Sequence, residues 1–140
     1  MSAQLAPEIQ TRWELWRSFE SCIRSYAAVE GLSDAEIPKV VAFGDHIDVT
    51  WHGVYLGFTM QPADGTAVWL IEWHEQSSMW GGFQLLPEGS FLIGETRKEI
   101  DIAAIDFLRM LKKHIEAGRG SSGLSPVAVQ KKQKGPELTQ

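Results

Sequence analysis

From Pro7 onward, apolar residues recur at three- and four-residue intervals: Ile9, Trp13, Trp16, Phe19, Ile23, Tyr26 and Ala27. That period predicts an amphipathic helix, with Pro7 suited to its first turn and Gly31 to its C-terminal cap. Leu15, Cys22 and Val29 widen the apolar arc to roughly 200°, where roughly 100° is enough to face one core. So broad an arc predicts burial on two sides, against a sheet and against a second helix or another subunit. Ser33-Asp34-Ala35-Glu36 has capping-box spacing and predicts one short helical turn.

The period then changes from 3.6 to 2. Lys39–Phe43 reads as a strand turned by Gly44-Asp45. Ile47, Val49 and Trp51 alternate with Asp48 and Thr50, and His52-Gly53 fits a two-residue hairpin loop. Val54, Leu56 and Phe58 alternate with Tyr55, Gly57 and Thr59. Pro62-Ala63-Asp64-Gly65 is a turn by composition. Trp69, Ile71 and Trp73 then alternate with Val68, Leu70, Glu72 and His74. A two-residue loop at 52–53 pairs Val49 with Leu56 and Ile47 with Phe58. A four-residue loop at 62–65 pairs Phe58 with Trp69 and Leu56 with Ile71. Both turns place every large apolar residue on one face, and a one-residue slip at either would break that agreement.

Glu75–Gly82 reads as a loop that presents Met79 and Trp80 beside two glycines. Phe83–Leu86 and Ser90–Ile93 read as a hairpin across Pro87-Glu88-Gly89. Thr96-Arg97-Lys98-Glu99 is a second capping box and predicts the start of a helix striped by Ile100, Ala103, Ala104, Phe107, Leu108, Leu111 and Ile115, ended by Gly118. The expected fold is α+β: an N-terminal helix, an antiparallel meander of five or six strands and a C-terminal helix, with both helices on one sheet face. A single domain spans 1–117. Residues 118–140 are Gly-, Ser-, Gln- and Lys-rich and read as a disordered basic tail.

Composition adds one anomaly, six tryptophans against two tyrosines. Trp51, Trp69 and Trp73 share the apolar sheet face and Trp13 and Trp16 lie in the helix arc, which leaves Trp80 unassigned. The net charge of −5 is uneven. Residues 31–96 carry Lys39 against nine acids, or −8, whereas residues 118–140 carry four cations against one acid, or +3. An acidic centre repels phosphate backbones and disfavours nucleic acid as a partner; a basic protein surface suits it better. No run approaches the roughly 18 apolar residues of a membrane span, and the N-terminus lacks a signal-peptide pattern. With the single cysteine, Cys22, this predicts a cytoplasmic protein without a disulfide.

The strand registers leave a second, mixed sheet face. Asp48, Gly57 and Leu70 form one row, Thr50, Tyr55 and Glu72 the next, and His74 lies at the end. Val68, Leu70 and Tyr55 are too apolar for free solvent, and Asp48 and Glu72 too charged for a core. Gly57 would let a ligand or another backbone approach closely. His46 and His52 fall in turns, so no metal site is assigned. Ser77 and Ser78 lack nucleophile-elbow glycines, Gly81-Gly82 lacks the Lys of a phosphate loop, and neither a cofactor nor a catalytic residue is assigned. The favoured expectation is a non-enzymatic protein-binding module, immunity- or chaperone-like and homodimeric, whose contacts are Asp48, Tyr55, Gly57, Leu70, Glu72 and His74 on this face or Met79 and Trp80 in the loop. Two alternatives remain. One is a small-molecule site or enzyme built on Tyr55, Glu72 and His74; the other is a nucleic-acid accessory protein acting through the tail lysines Lys131, Lys132 and Lys134.

Overall fold

Pro7 at the first turn and apolar residues on the inward positions produce α1 (Pro7–Gly31), whose buried residues are Trp16, Phe19, Ile23, Ala27 and Gly31. The computed structural model describes residues 6–73 and 77–120, with the side chains of 119 and 120 outside that description. After α1 come β1 (Lys39–Phe43), β2 (His46–Trp51), β3 (Val54–Met60), β4 (Thr66–Trp73), β5 (Ser77–Leu86), β6 (Ser90–Ile93), β7 (Thr96–Glu99) and α2 (Ile100–Gly120). The strands form one antiparallel sheet in strict chain order.

Both expected turns have the required chemistry. His52 (φ 50°) and Gly53 (φ 79°) supply the two positive φ angles of a primed hairpin turn. Trp51 pairs with Val54, Val49 with Leu56 and Ile47 with Phe58; across the next turn Phe58 pairs with Trp69 and Leu56 with Ile71. Arg12 of α1 secures that second turn by donating to the carbonyls of Pro62 (2.9 Å) and Ala63 (2.8 Å).

The inward sheet face and the two helices enclose a core centred on Phe19. Its ring lies 5.0 Å from Phe58, 5.0 Å from Phe91 and 6.1 Å from Phe107, in the edge-to-face geometry aromatic quadrupoles favour. Part of the second side of the broad α1 arc faces α2: Cys22 packs against the core near Asp101 and Glu30 pairs with Lys112 at 3.1 Å, whereas Val29 is 57% exposed. Burial and the neighbouring Asp101 carboxylate push the Cys22 thiol up, keeping it a protonated small hydrophobe.

Three local expectations are corrected. The sheet has seven strands, not five or six, because Ser77–Gly82 belongs to a ten-residue strand rather than a loop. Polar and glycine positions hide its period, yet it pairs residue by residue with β4. Thr96–Glu99 is strand β7, paired with β6, and the helix begins only at Ile100; it then runs through Gly118 to Gly120. Ser33–Glu36 forms no helical turn. Asp34 accepts from the Glu36 amide at 2.9 Å, a local closure that competes with a helix. Asp34 and Glu36 also hold His52, at 2.6 Å through its Nε2 and 3.0 Å through its backbone N–H.

The free edges are treated differently. Strand β7 carries Arg97, Lys98 and Glu99, charges that discourage edge pairing; Lys98 also bonds Asp106 of α2. On β1, Phe43–His46 closes a two-residue turn, so Val40 and Ala42 direct their backbone groups outward. Arg24 donates to the Val40 carbonyl at 3.1 Å.

Candidate functional site

Both helices lie on one face of the sheet, and the opposite face is uncovered by either. The registers place Val41, Asp48, Gly57, Leu70 and Trp80 in one row across β1 to β5. Lys39, Thr50, Tyr55, Glu72 and Ser78 form the next row. Phe43, His46, Thr59, Val68 and Gly82 form a third. Trp80 therefore lies on a strand and extends the predicted row, so the sheet face and the Met79-Trp80 segment are one surface. Met79 does not belong to it. Paired with Ile71, it points to the other side and packs against the core. His74 lies outside the described residues.

Strand β3 carries the centre of the face. The Tyr55 hydroxyl donates to Asp48 Oδ1 at 2.6 Å, and the same oxygen is 2.7 Å from His46 Nε2. His46 Nδ1 is 2.9 Å from Thr59 Oγ1. A neutral imidazole with its proton on Nε2 satisfies both neighbours, donating to Asp48 and accepting from Thr59. Burial raises the Tyr55 phenol above its ordinary range, reinforced by the hydrogen bond to Asp48 and by the Asp48 and Glu72 charges. The phenol stays protonated at neutral pH and serves as a hydrogen-bond donor. The expectation for Gly57 is revised. A Cβ there would sit 2.1 Å from the Tyr55 hydroxyl and 2.6 Å from its Cζ, so the space over Gly57 is filled by the Tyr55 ring. Gly57 admits a side chain of its own strand rather than a ligand.

Apolar residues flank this polar centre. Phe43 is 60% exposed and Val41 42% on one side, and Trp80 49% and Val68 44% on the other. The sequence reading missed Val41, Phe43 and His46. The signal was available, since strand parity puts Val41 and Phe43 on the face of Asp48, and His46 shares that parity.

Charge does not concentrate here. Of the nine acids in residues 31–96, only Asp48 and Glu72 lie on this face. Asp34, Glu36, Asp45, Asp64, Glu88 and Glu95 occupy the connections between elements, and Glu75 is outside the described residues. Among the described residues, no group of three or more His, Cys, Asp or Glu side chains is arranged to hold a metal ion, and no helix is long and apolar enough to cross a membrane.

Two clefts lie along α1, on the helix side of the sheet. One of about 300 Å³ is lined by Leu15, Arg12, Leu85 and Pro87 among others. The second, of about 550 Å³, lies between α1 and the end of β1. Neither is lined by Tyr55 or Glu72. No family model, curated protein or solved structure matches this chain.

Proposed function

We infer that this chain is a non-enzymatic protein-binding module that works through its open sheet face, and that a second copy of the chain occupies that face. The observation that carries the reading is the clustering of exposed apolar side chains. Of the eight large hydrophobics exposed among the described residues, four (Val41, Phe43, Val68 and Trp80) stand on this one face. Exposed apolar side chains on both flanks of satisfied polar groups support reading this face as an interaction surface.

Strand geometry favours self-association. A two-fold axis along β3, in the plane of the face, would bring β1 of one copy over β5 of the other. Row by row, Val41 then lies opposite Trp80, and Phe43 opposite Gly82, where no side chain obstructs it. The Tyr55–Asp48–His46 set stays near the axis. An interface of this kind is isologous and closes at two copies. Five strands about 4.8 Å apart, each contributing about 20 Å of length, give a footprint of about 500 Å² per copy. That is below the roughly 800 Å² per partner of a standard interface and belongs with weak, transient contacts. A basic partner surface loses its main support, because the acids lie in the connections.

The test is sedentimentation equilibrium from about 1 µM to 1 mM, on the wild type and Trp80→Ala. The wild type should dimerise. Trp80→Ala should weaken the dimer by about tenfold, since each dimer loses two Trp80–Val41 contacts at its margins, while melting shifts little because Trp80 is half exposed. A wild type that stays monomeric to 1 mM overturns the second copy as occupant. A large loss of melting temperature in Trp80→Ala without a change in association would make Trp80 a structural residue.

A further inference from the structure

We propose that the C-terminal end of α1 and the connection to β1, residues 29–37, form a docking surface for a basic, apolar segment of the same chain, residues 124–134. None of the surface residues stands on the open sheet face, and the proposal does not depend on the reading of that face.

Four of the eight exposed large hydrophobics among the described residues are on the open face. Of the other four, three fall within residues 29–37: Val29, Leu32 at 86% exposure and Ile37 at 68%. They are also neighbours in space. The Leu32 amide donates to the Val29 carbonyl at 3.1 Å. Leu32 keeps helical backbone angles (φ −64°, ψ −28°), so its side chain stands beside that of Val29, three residues earlier. Ile37 lies against the buried Gly31, where a Cβ would come within 3.1 Å of its Cγ2. Isolated exposed hydrophobics need no explanation, but adjoining ones at a helix end leave apolar surface for a partner to cover.

Carboxylates surround this surface. Glu30 bonds Lys112 of α2 at 3.1 Å. That bond, with the further charges of Glu116 and Asp34, holds the Lys112 ammonium above its ordinary range. Asp34 lies 2.6 Å from His52 Nε2, and Glu36 accepts from the His52 amide. Four carboxylates thus meet one permanently charged cation, Lys112. Lys39, the next cation along the chain, belongs to the open face through its pairing with Thr50. The surroundings of Leu32 and Ile37 carry net negative charge and attract a cationic segment.

The occupant follows from what comes next in the chain. Helix α2 meets Glu30 at Lys112 and continues for eight residues to Gly120, about 12 Å of helix. Beyond it, Leu124, Val127 and Val129 precede Lys131, Lys132 and Lys134, with Glu137 the first acid after Glu116. Val127 is seven residues from Gly120, a reach of up to about 24 Å, twice the helix length to be retraced. Apolar residues followed by lysines match an apolar surface rimmed by carboxylates. Tethering supplies an effective concentration in the millimolar range, so an intrinsic Kd of about 1 mM is enough to keep the surface covered.

The experiment uses the full chain and two readouts. The first is the rate of trypsin cleavage after Lys131 and Lys132, followed by mass. Docking should slow it about threefold or more relative to Leu32→Ser, a change at an exposed position that leaves the fold intact, and relative to the pair Val127→Ser and Val129→Ser. The second is the methyl spectrum, with the Leu32 and Ile37 signals assigned from Leu32→Ser and Ile37→Val. Both signals should move in the serine pair at 127 and 129, and in the triple variant Lys131→Glu, Lys132→Glu and Lys134→Glu. About 0.5 M salt should move the wild-type signals in the same direction. Equal cleavage rates in wild type and Leu32→Ser overturn the proposal, as do Leu32 and Ile37 signals that neither set of variants moves. Protection that grows with protein concentration between about 10 and 500 µM would also overturn it, by placing the segment on a second copy.

Discussion

Replacing Gly57 by alanine asks whether the polar centre of the open face depends on one ring lying over one glycine. The backbone at Gly57 is outside the positive-φ region, so alanine brings no conformational strain. Its Cβ would, however, meet the Tyr55 hydroxyl at 2.1 Å, Cζ at 2.6 Å and Cε2 at 2.9 Å. The ring has to leave. Its departure breaks the 2.6 Å bond to Asp48, and a hydrogen bond to a charged group contributes about 1.5–3 kcal/mol. Both groups are partly exposed, so the lower half of that range applies. Against this, alanine in a strand is better than glycine by about 0.5–1 kcal/mol. Gly57→Ala should therefore destabilise by about 1 kcal/mol. In a Tyr55→Ala background no ring remains to displace, and the same change should stabilise by about 0.5–1 kcal/mol. The reversal of sign, a coupling of about 1.5–2 kcal/mol, would be read from urea midpoints of the four proteins followed by tryptophan fluorescence. Distant or independent sites add to within about 0.5 kcal/mol. If Gly57→Ala has the same effect in both backgrounds, the ring does not depend on the glycine and the account of this face is wrong.

Two other perturbations are specific. A Cβ at Gly81 would meet the Trp69 ring at 2.8 Å, whereas one at Gly82 would lie 3.6 Å from the Ala67 carbonyl. Gly81→Ala should thus cost about 1–3 kcal/mol by overpacking and Gly82→Ala less than about 0.5 kcal/mol; equal melting temperatures for the two variants would contradict this. The raised Tyr55 phenol gives a pH dependence of defined sign. Below pH about 10 folded and unfolded chains both hold the proton and stability is unaffected. Above it the unfolded chain releases its proton while the folded chain retains it, so stability falls as pH rises. Tyr55→Phe should lack that alkaline slope in urea midpoints between pH 8 and 11, and parallel slopes would refute the assignment.

Much of the fold was legible because two kinds of signal agreed. Hydrophobic alternation marked β2, β3 and β4, and the His52-Gly53 and Pro62–Gly65 turns independently set the same register. Strand β5 was hidden because its outward residue is Trp80 and its inward one Gly81, the reverse of the usual pattern. The inversion works because Trp69 from β4 fills the space that Gly81 leaves. Thr96–Glu99 carries capping-box letters but takes its structure from β6, a tertiary preference that local propensity does not encode. On the open face, parity alone placed Asp48, Tyr55, Leu70 and Glu72 together. The seat of the Tyr55 ring over Gly57 depends on side-chain torsions that no period reports. The central charge of −8 suggested an acidic surface, yet six of its nine acids lie in connections, because linear charge density does not specify which residues share a face.

The strict chain order of the sheet also bears on how the molecule assembles. Every strand pairs with its sequence neighbour, so the sheet can form from local hairpins, which close on the microsecond scale. The helices are different. They are the first and last elements in chain order and meet across a separation of 82 residues at Glu30 and Lys112. Loop closure over that distance is the entropically costly event, and until it occurs the aromatic sheet face around Phe58 and Phe91 lacks part of its cover. Folding should therefore be limited by the joining of the two ends, and shortening α2 should slow it and promote aggregation while leaving the hairpins able to form.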